Sequence, residues 1–392
     1  MLQEYINHSD PARIGHTYWQ VGDFKTISKV AALERAGGDI RKVRFHWMDE
    51  VWDQQNWTKE PEASWADLLR MRVWQLRNQY EHVALFYSGG WDSHTVLMAF
   101  IDNGVPLDEI VVWDRRSHVD DREVEDACET ALQLIREHNL NTKLSVYTID
   151  WDYHAKVYET VGQDYIYLPG CQLCFNQTTR VVMHEVNPGL VKIRKKNSQK
   201  STCYIEAHDK PRVNLWEGKW YQFYMDSAMY PYLGKGSSTE MFYFTPDLPE
   251  LHVKQTHLSM RYFEHLLNTR PGATGDLIHR VQNFDEPALY AQWNQYIGRV
   301  CSDNHSARHG LMKKDILRTP RVKDMLKILG HTEQHMQNIY AIYEGGLERI
   351  RDMSHGKIDI FNDSMPGIMT KQYYMKDFQK TLQPAISGRL II

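Results

Sequence analysis

A chain of 392 residues with 42% hydrophobic and 24% charged residues can build large cores, which excludes a globally disordered protein. Its formal net charge of −4 gives no overall attraction to nucleic acid, although a local basic patch remains open. Five scattered cysteines exclude a disulfide framework, and neither a secretory signal nor a long apolar run is visible. We therefore expect a soluble, cytoplasmic protein without a membrane partner.

Aromatic residues are frequent, with 12 tryptophans and 22 tyrosines, and indicate an extensive ligand or subunit surface that is compatible with an oligomer. In the first 80 residues, Lys25–Ala36 and Pro61–Tyr80 have helical periodicity. The second stretch contains Ser64 and Asp67, a variant capping box. Five tryptophans in this region favour a packing role over a stacking surface for bases: Trp47, Trp52, Trp57, Trp65 and Trp74.

The stretch His82–Asp114 predicts a strand, a glycine turn, a helix and a second strand. A short apolar run, Val83–Tyr87, is typical of a strand buried on both faces. Helical periodicity then runs from Ser93 to Gly104, and Ile110–Trp113 predicts the second strand. We expect a right-handed βαβ unit with parallel strands, which places the turn at the carboxyl end of a strand and the amino end of a helix.

The turn, which we call the Ser88–Ser93 loop, has the composition of a phosphate site. Gly89 and Gly90 allow backbone N–H groups to point inward, and the helix dipole adds partial positive charge. Ser88 and Ser93 add hydroxyl donors, whereas Asp92 is expected to contact phosphate through Mg²⁺. The loop contains no lysine, so it is not the GxxxxGK[ST] phosphate loop.

Residues 88–93 read SGGWDS and match the SGGxDS signature of the PP-loop ATP pyrophosphatases. The segment resembles that superfamily, which includes asparagine synthetase C-terminal domains, tRNA-thiolating enzymes and adenylyl-sulfate (PAPS) reductases. The resemblance implies a doubly wound α/β fold of the HUP type, with ATP and Mg²⁺ as cofactors and Trp91 within the nucleotide-binding loop. It covers residues 80 to 215, and the remainder resembles uncharacterised PP-loop proteins of large bacterial viruses. A Gly-Gly turn without this function is the alternative.

Position in the family, rather than a motif, brings further residues to the nucleotide. In PP-loop enzymes the adenine and ribose lie over the ends of the first strands, which implies contacts from Tyr87, Trp113 and Asp114. Asp150 is a further candidate at the end of a predicted third strand, Lys143–Ile149. Asp114 and Asp150 are equally suited to capping strand ends.

Charged residues follow a fourth predicted strand, Thr202–Glu206, where an open α/β sheet places ligand contacts. Lys210 and Arg212 are candidates to neutralise departing pyrophosphate, and Asp209 is a candidate to bind metal or orient a nucleophile. Together with Asp92 they form the predicted catalytic set. An ordinary charged loop is the alternative.

The cysteines offer one incomplete metal motif. Cys171 and Cys174 form a CxxC pair, and Cys203, with Cys301 or a histidine, is suited to completing a zinc site. The pair also resembles the CxxC of thiolating PP-loop enzymes, which hold an iron–sulfur cluster, but the arginine run of those enzymes is missing here. We favour a packed turn with buried thiols over a metal site or a catalytic thiol. Cys128 lies on a predicted helix, Asp120–His138, and is expected to face a core.

The carboxyl third is predicted to be mostly helical. A helix begins near Pro249, and four more are predicted at Gly275–Phe284, Ala288–Val300, Lys323–Leu329 and Thr332–Arg349. The last forty residues are rich in turns and indicate a partner-binding or weakly ordered tail. We divide the chain into an N-terminal extension (1–80), a PP-loop ATP-binding domain (81–230) and a mostly helical substrate or partner region (231–392).

The resemblance implies an ATP-dependent adenylating enzyme. A substrate oxygen attacks the α-phosphorus of ATP, pyrophosphate leaves, and an amine, ammonia or sulfur nucleophile then displaces AMP. The sequence does not determine whether the acceptor is a small molecule, a nucleotide or a nucleic acid. One alternative is an adenylyl-sulfate reductase, which needs a carboxyl-terminal cysteine that is missing after Cys301. The other alternative is a non-catalytic adenine-nucleotide sensor.

Overall fold

The computed structural model describes residues 8–9, 14–114, 122–148, 158–168, 201–207, 211–226, 239–283, 285–298, 334–356 and 367–378. Its strands are β1 Thr17–Val21, β2 Phe24–Thr26, β3 Arg44–Trp47, β4 His82–Phe86, β5 Glu109–Asp114, β6 Lys143–Thr148, β7 Thr202–Glu206, β8 Arg212–Trp216, β9 Lys219–Phe223, β10 Thr239–Met241 and β11 Tyr373–Asp377. Its α-helices are α1 Lys29–Arg35, α2 Asp49–Trp52, α3 Trp65–Gln79, α4 Trp91–Asp102, α5 Arg122–Glu137, α6 Pro249–Thr269, α7 Gly275–Gln282, α8 Pro287–Gly298 and α9 Gln334–Ser354.

A parallel sheet lies at the centre, with the strand order β10-β7-β4-β5-β6. All four strand pairs are parallel, and β4 pairs with both β5 and β7. The chain proceeds outward from β4 through β5 to β6, and it then returns to the other side of β4 for β7 and β10. The predicted α/β fold around a parallel sheet is confirmed, and its strand order reverses between β4 and β7. The HUP and PP-loop type of this fold stays a prediction.

Apolar residues cover both faces of β4, as predicted for a central strand. Val83 and Leu85 lie in the main core, which includes residues of α3, α4 and α5. Ala84 and Phe86 point to the opposite face, where they pack with neighbours from adjacent strands in a second cluster. Burial on both faces explains why this strand reads as a continuous apolar run rather than an alternating pattern.

The N-terminal region contains an antiparallel sheet in the order β2-β1-β3. The predicted helix at Lys25–Ala36 begins too early, because Thr26 pairs with Trp19 in this sheet. Helix α1 starts only after Ser28, whose side chain caps it by accepting a hydrogen bond from the Ala31 N–H at 3.3 Å. Four of the five tryptophans are buried, which confirms their packing role, but Trp74 is 43% exposed on the outer side of α3.

A second antiparallel sheet, in the order β11-β9-β8, lies near the carboxyl end of the described chain. Within the predicted partner-binding or weakly ordered tail, the described residues 367–378 correct the expectation of weak order, because Ile368, Tyr373 and Met375 are buried in the main core. A partner-binding role of the tail stays a prediction. The predicted helix Lys323–Leu329 lies outside the described residues. The main core contains residues from all three predicted segments, and the division into domains stays a prediction. No helix in the described part of the chain is long and apolar enough to cross a membrane.

Candidate functional site

The Ser88–Ser93 loop joins the carboxyl end of β4 directly to the first turn of α4. Gly89 has a φ of +69°, a conformation that glycine adopts without strain, and Gly90 is the N-cap of α4. The Ser93 hydroxyl donates to the Gly90 carbonyl at 3.2 Å and accepts from the Ser88 backbone N–H at 3.3 Å. These bonds close the loop into a compact turn beside the point where the strand order reverses.

The amino end of α4 has the features of an anion site. The N-cap residue Gly90 has no side chain to cap this end, and the first N–H groups of a helix have no acceptor within the helix. Together with the helix dipole, such groups attract phosphate. Ser88 is exposed, and Asp92 is partly exposed in the first turn of α4. Two parallel strands with a reversal between them, here β4 and β7, form the crevice where open α/β sheets bind ligands.

Tyr87 does not fit its predicted contact with nucleotide. Its side chain is only 2% exposed and belongs to the main core. The hydroxyl lies 3.0 Å from Nδ1 of His94, which is itself buried on α4. The pair ties β4 to α4 from within the core, so Tyr87 supports the loop but has no surface for a ligand.

Trp113 and Asp114 lie at the carboxyl end of β5, the strand next to β4. The Trp113 ring is half-buried and stacks on Phe86 with ring centroids 5.4 Å apart, whereas the Asp114 side chain is buried. The structure thus brings both residues to the same edge of the sheet as the loop. Trp91 is 5% exposed, and its indole nitrogen has no hydrogen-bond acceptor among the residues that the structure describes.

Arg212 has another role than the predicted one. It begins β8, and its guanidinium donates to the Gln282 carbonyl and the Asn283 side chain, each at 3.1 Å. Both acceptors lie at the carboxyl end of α7, where a cation stabilises the last carbonyls of a helix. We therefore leave Arg212 out of the proposed site. Asp209 and Lys210 lie outside the described residues.

Cys203 is a core residue of β7 and is fully buried. Burial raises the pKa of its thiol well above the ordinary value, which disfavours the thiolate that metal ligation needs. Cys203 is thus corrected from candidate ligand to packing residue. Among the described residues no group of histidine, cysteine and carboxylate side chains has the arrangement of a metal site. Cys171, Cys174, Cys301 and Asp150 lie outside the described residues.

Three residues near the loop were missed from the sequence. The Tyr243 hydroxyl donates to the Asp92 backbone carbonyl at 2.9 Å, and the Phe242 N–H donates to the Glu206 carbonyl at 2.9 Å. Glu206 carries a buried side chain at the carboxyl end of β7, opposite Phe86 of β4. Glu206 could have been predicted from the sequence, because it is the last residue of the predicted strand Thr202–Glu206. The aromatic stretch after β10 gave no sign of contact with the loop, because that contact depends on the strand order.

No protein-family model matches the chain, and no curated protein matches it.

Proposed function

We propose that the Ser88–Ser93 loop binds the phosphates of ATP with Mg²⁺, and that the protein is an ATP-dependent adenylating enzyme of the PP-loop type. The observation that carries this proposal is the position of the loop. The loop combines the SGGWDS sequence with the carboxyl end of β4, an amino end of α4 whose N-cap is Gly90, and the adjacent strand-order reversal. Each of these features favours a phosphate ligand.

In this proposal, different groups of the loop bind the phosphates and the Mg²⁺. Backbone N–H groups at the start of α4 and the Ser88 hydroxyl donate to phosphate oxygens. The Asp92 carboxylate fits Mg²⁺, which prefers carboxylate and phosphate oxygens and neutralises the charge of the phosphates. Trp113 and Asp114 lie at the carboxyl end of the neighbouring strand, and they stay the candidates for contact with the adenosine.

The proposed reaction breaks the bond between the α- and β-phosphates. A carbonyl-type oxygen of the acceptor attacks the α-phosphorus, a new P–O bond forms, and pyrophosphate leaves with the electrons of the broken bond. An amine, ammonia or sulfur nucleophile then attacks the activated carbon and releases AMP. Catalysis of this kind depends on positioning and on stabilising charge, which a preorganised loop of N–H donors supplies.

Labelled ATP tests the reaction type. Thin-layer chromatography of α- and γ-labelled ATP, with cell metabolites and nucleic acid offered as acceptors, should show AMP and pyrophosphate as products. We expect Lys210→Ala to slow product formation more than it weakens ATP binding. Arg212→Ala is the matched control, because its guanidinium is bound to the end of α7, and it should change stability rather than the chemical step. ADP as the dominant product would contradict the proposal.

A nucleotide sensor is the second candidate, and the bonding of Arg212 favours it. A catalytic site needs cations for the departing pyrophosphate, and Arg212 is committed to α7. A sensor binds ATP through the same loop but forms no product with any acceptor. The chromatography separates the two, since only the enzyme yields AMP.

A further inference from the structure

The residues that follow β10 cross the carboxyl edge of the parallel sheet and connect its two sides at the reversal. The backbone N–H of Phe242 donates to the carbonyl of Glu206, at the end of β7, at 2.9 Å. The next residue, Tyr243, reaches the other side, where its hydroxyl donates to the carbonyl of Asp92 at 2.9 Å. Two consecutive residues therefore join β7 to the first turn of α4.

Tyr243 is held firmly on its other side. The side chain is 1% exposed, and its ring stacks on Trp65 with an interplanar angle of 9° and centroids 6.2 Å apart. Upstream, the buried guanidinium of Arg72 donates to the Met241 carbonyl at 3.0 Å and to the Glu240 carboxylate at 3.1 Å. Helix α3 thus fixes this segment through both its first turn and its middle.

We propose that Tyr243 is a positioning residue for the Ser88–Ser93 loop. Its hydroxyl fixes the backbone of Asp92 and thereby sets where the Asp92 carboxylate points. This inference rests on the proposed function, in which that carboxylate contacts Mg²⁺ on the phosphates. Because the hydroxyl donates to the Asp92 backbone carbonyl, we expect Tyr243 to act on the site by positioning Asp92.

Tyr243→Phe removes the hydroxyl and keeps the ring on Trp65. We expect the Mg²⁺ concentration that gives half-maximal ATP binding to rise about five-fold, in line with the loss of one ordinary hydrogen bond. ATP binding in the presence of EDTA should change much less. Tyr262→Phe is the matched control, because the Tyr262 hydroxyl also donates to a backbone carbonyl, that of Leu289, at 2.8 Å. That bond joins α6 to α8, so its loss should leave the Mg²⁺ dependence unchanged.

Hydrogen exchange of the ligand-free protein separates this inference from the proposed function. Amides of the Ser88–Ser93 loop should exchange faster in Tyr243→Phe than in the parent, and no faster in Tyr262→Phe. Equal loop exchange in Tyr243→Phe and the parent overturns the positioning role, as does an unchanged Mg²⁺ dependence. Failure of the parent to bind ATP overturns the proposed function instead, and with it the purpose assigned to Tyr243, whatever the exchange rates are.

Discussion

Lys29 and Asp226 form an ion pair, with Nζ and Oδ2 2.8 Å apart, and both side chains are fully excluded from solvent. Asp226 also accepts hydrogen bonds from the Trp19 indole at 3.1 Å and from the Ile368 backbone N–H at 3.0 Å. One carboxylate therefore joins α1, β1, the segment after β9 and the segment before β11. The packing of these segments, which are far apart in the sequence, depends on a single buried charge.

Asp226→Asn should cost about 3–5 kcal/mol of unfolding free energy, because it removes the charge that Lys29 contacts in the interior. Urea denaturation followed by circular dichroism measures the loss. Glu62→Gln is the control, since it breaks an exposed pair with Lys59 at 3.0 Å and should leave the unfolding midpoint nearly unchanged. Equal shifts in the two variants would show that burial of the pair contributes nothing.

His252 predicts a dependence of stability on pH. The imidazole is completely buried among aromatic rings, and burial lowers its pKa from 6.5 to about 3. The folded state therefore keeps the ring neutral where the unfolded state binds a proton. Stability from this group is complete above pH 6.5 and is lost as pH falls towards 3, at a cost of about 2 kcal/mol between pH 7 and 5.

Denaturation at a series of pH values checks this expectation. His252→Phe should flatten the fall in stability between pH 7 and 5, whereas His279→Gln, on the exposed side of α7, should retain it. His257 contributes in the same direction, because burial also lowers its pKa. A pH profile that is unchanged in His252→Phe would show that this histidine is not buried in the neutral form.

Strand β11 offers two adjacent residues with opposite environments. Met375 is 1% exposed within the main core, whereas Tyr374 is 42% exposed on the other face of the strand. Met375→Ala should cost about 2–5 kcal/mol, as large-to-small changes in cores do. Tyr374→Ala should cost far less, and thermal unfolding of the two variants makes the comparison. Similar losses in the two variants would contradict the burial of Met375 and favour the weakly ordered tail that the sequence predicts.

Cys203 and Cys128 should differ in reactivity. The thiolate is the reactive form, and burial raises the pKa of the Cys203 thiol, whereas Cys128 is only partly buried on α5. Iodoacetamide should modify Cys128 first in the native protein and Cys203 only on unfolding, as read by peptide mass spectrometry. Early modification of Cys203 would contradict its place in the core.

The central β4–α4–β5 unit was predictable because its signals are local. An apolar run of five residues, Val83–Tyr87, is typical of a short buried strand, and the glycine turn that follows it at once favours a strand over a helix. The capping box at Ser64 was readable for the same reason, since the Ser64 hydroxyl accepts from the Asp67 N–H at 3.1 Å within one helical turn. Once these elements were predicted, the positions of the loop residues and of the strand ends could be predicted as well.

What the sequence did not predict depends on partners that are distant in the chain. Thr26 belongs to a strand only because Trp19 pairs with it, and β11 forms only against β9. Arg212 looked catalytic from its place after β7, but its acceptors lie about seventy residues later, at Gln282 and Asn283. Tyr243 gave no signal because its contact with Asp92 requires β10 to lie beside β7. Tertiary context decides such cases.

Gly89 and Gly104 provide a matched pair for the loop, one at each end of α4. Both have positive φ, +69° and +61°, so a change to alanine costs each about 1 kcal/mol of backbone preference. Gly89→Ala should also distort the loop and abolish ATP binding, whereas Gly104→Ala should bind ATP like the parent. Fluorescence titration with an ATP analogue, beside urea denaturation of both variants, separates binding from stability. Equal affinity in the two variants would contradict the placement of phosphate at Gly89.

Isothermal titration calorimetry of ATP with Mg²⁺ tests the central claim most directly, namely that the Ser88–Ser93 loop holds the nucleotide. The parent should bind ATP, and Ser88→Ala and Asp92→Ala should weaken that binding. Asp102→Ala, at the opposite end of the same helix, should bind ATP like the parent. Binding that is equally strong in the parent and in both loop variants, or no binding by the parent at all, would contradict the account.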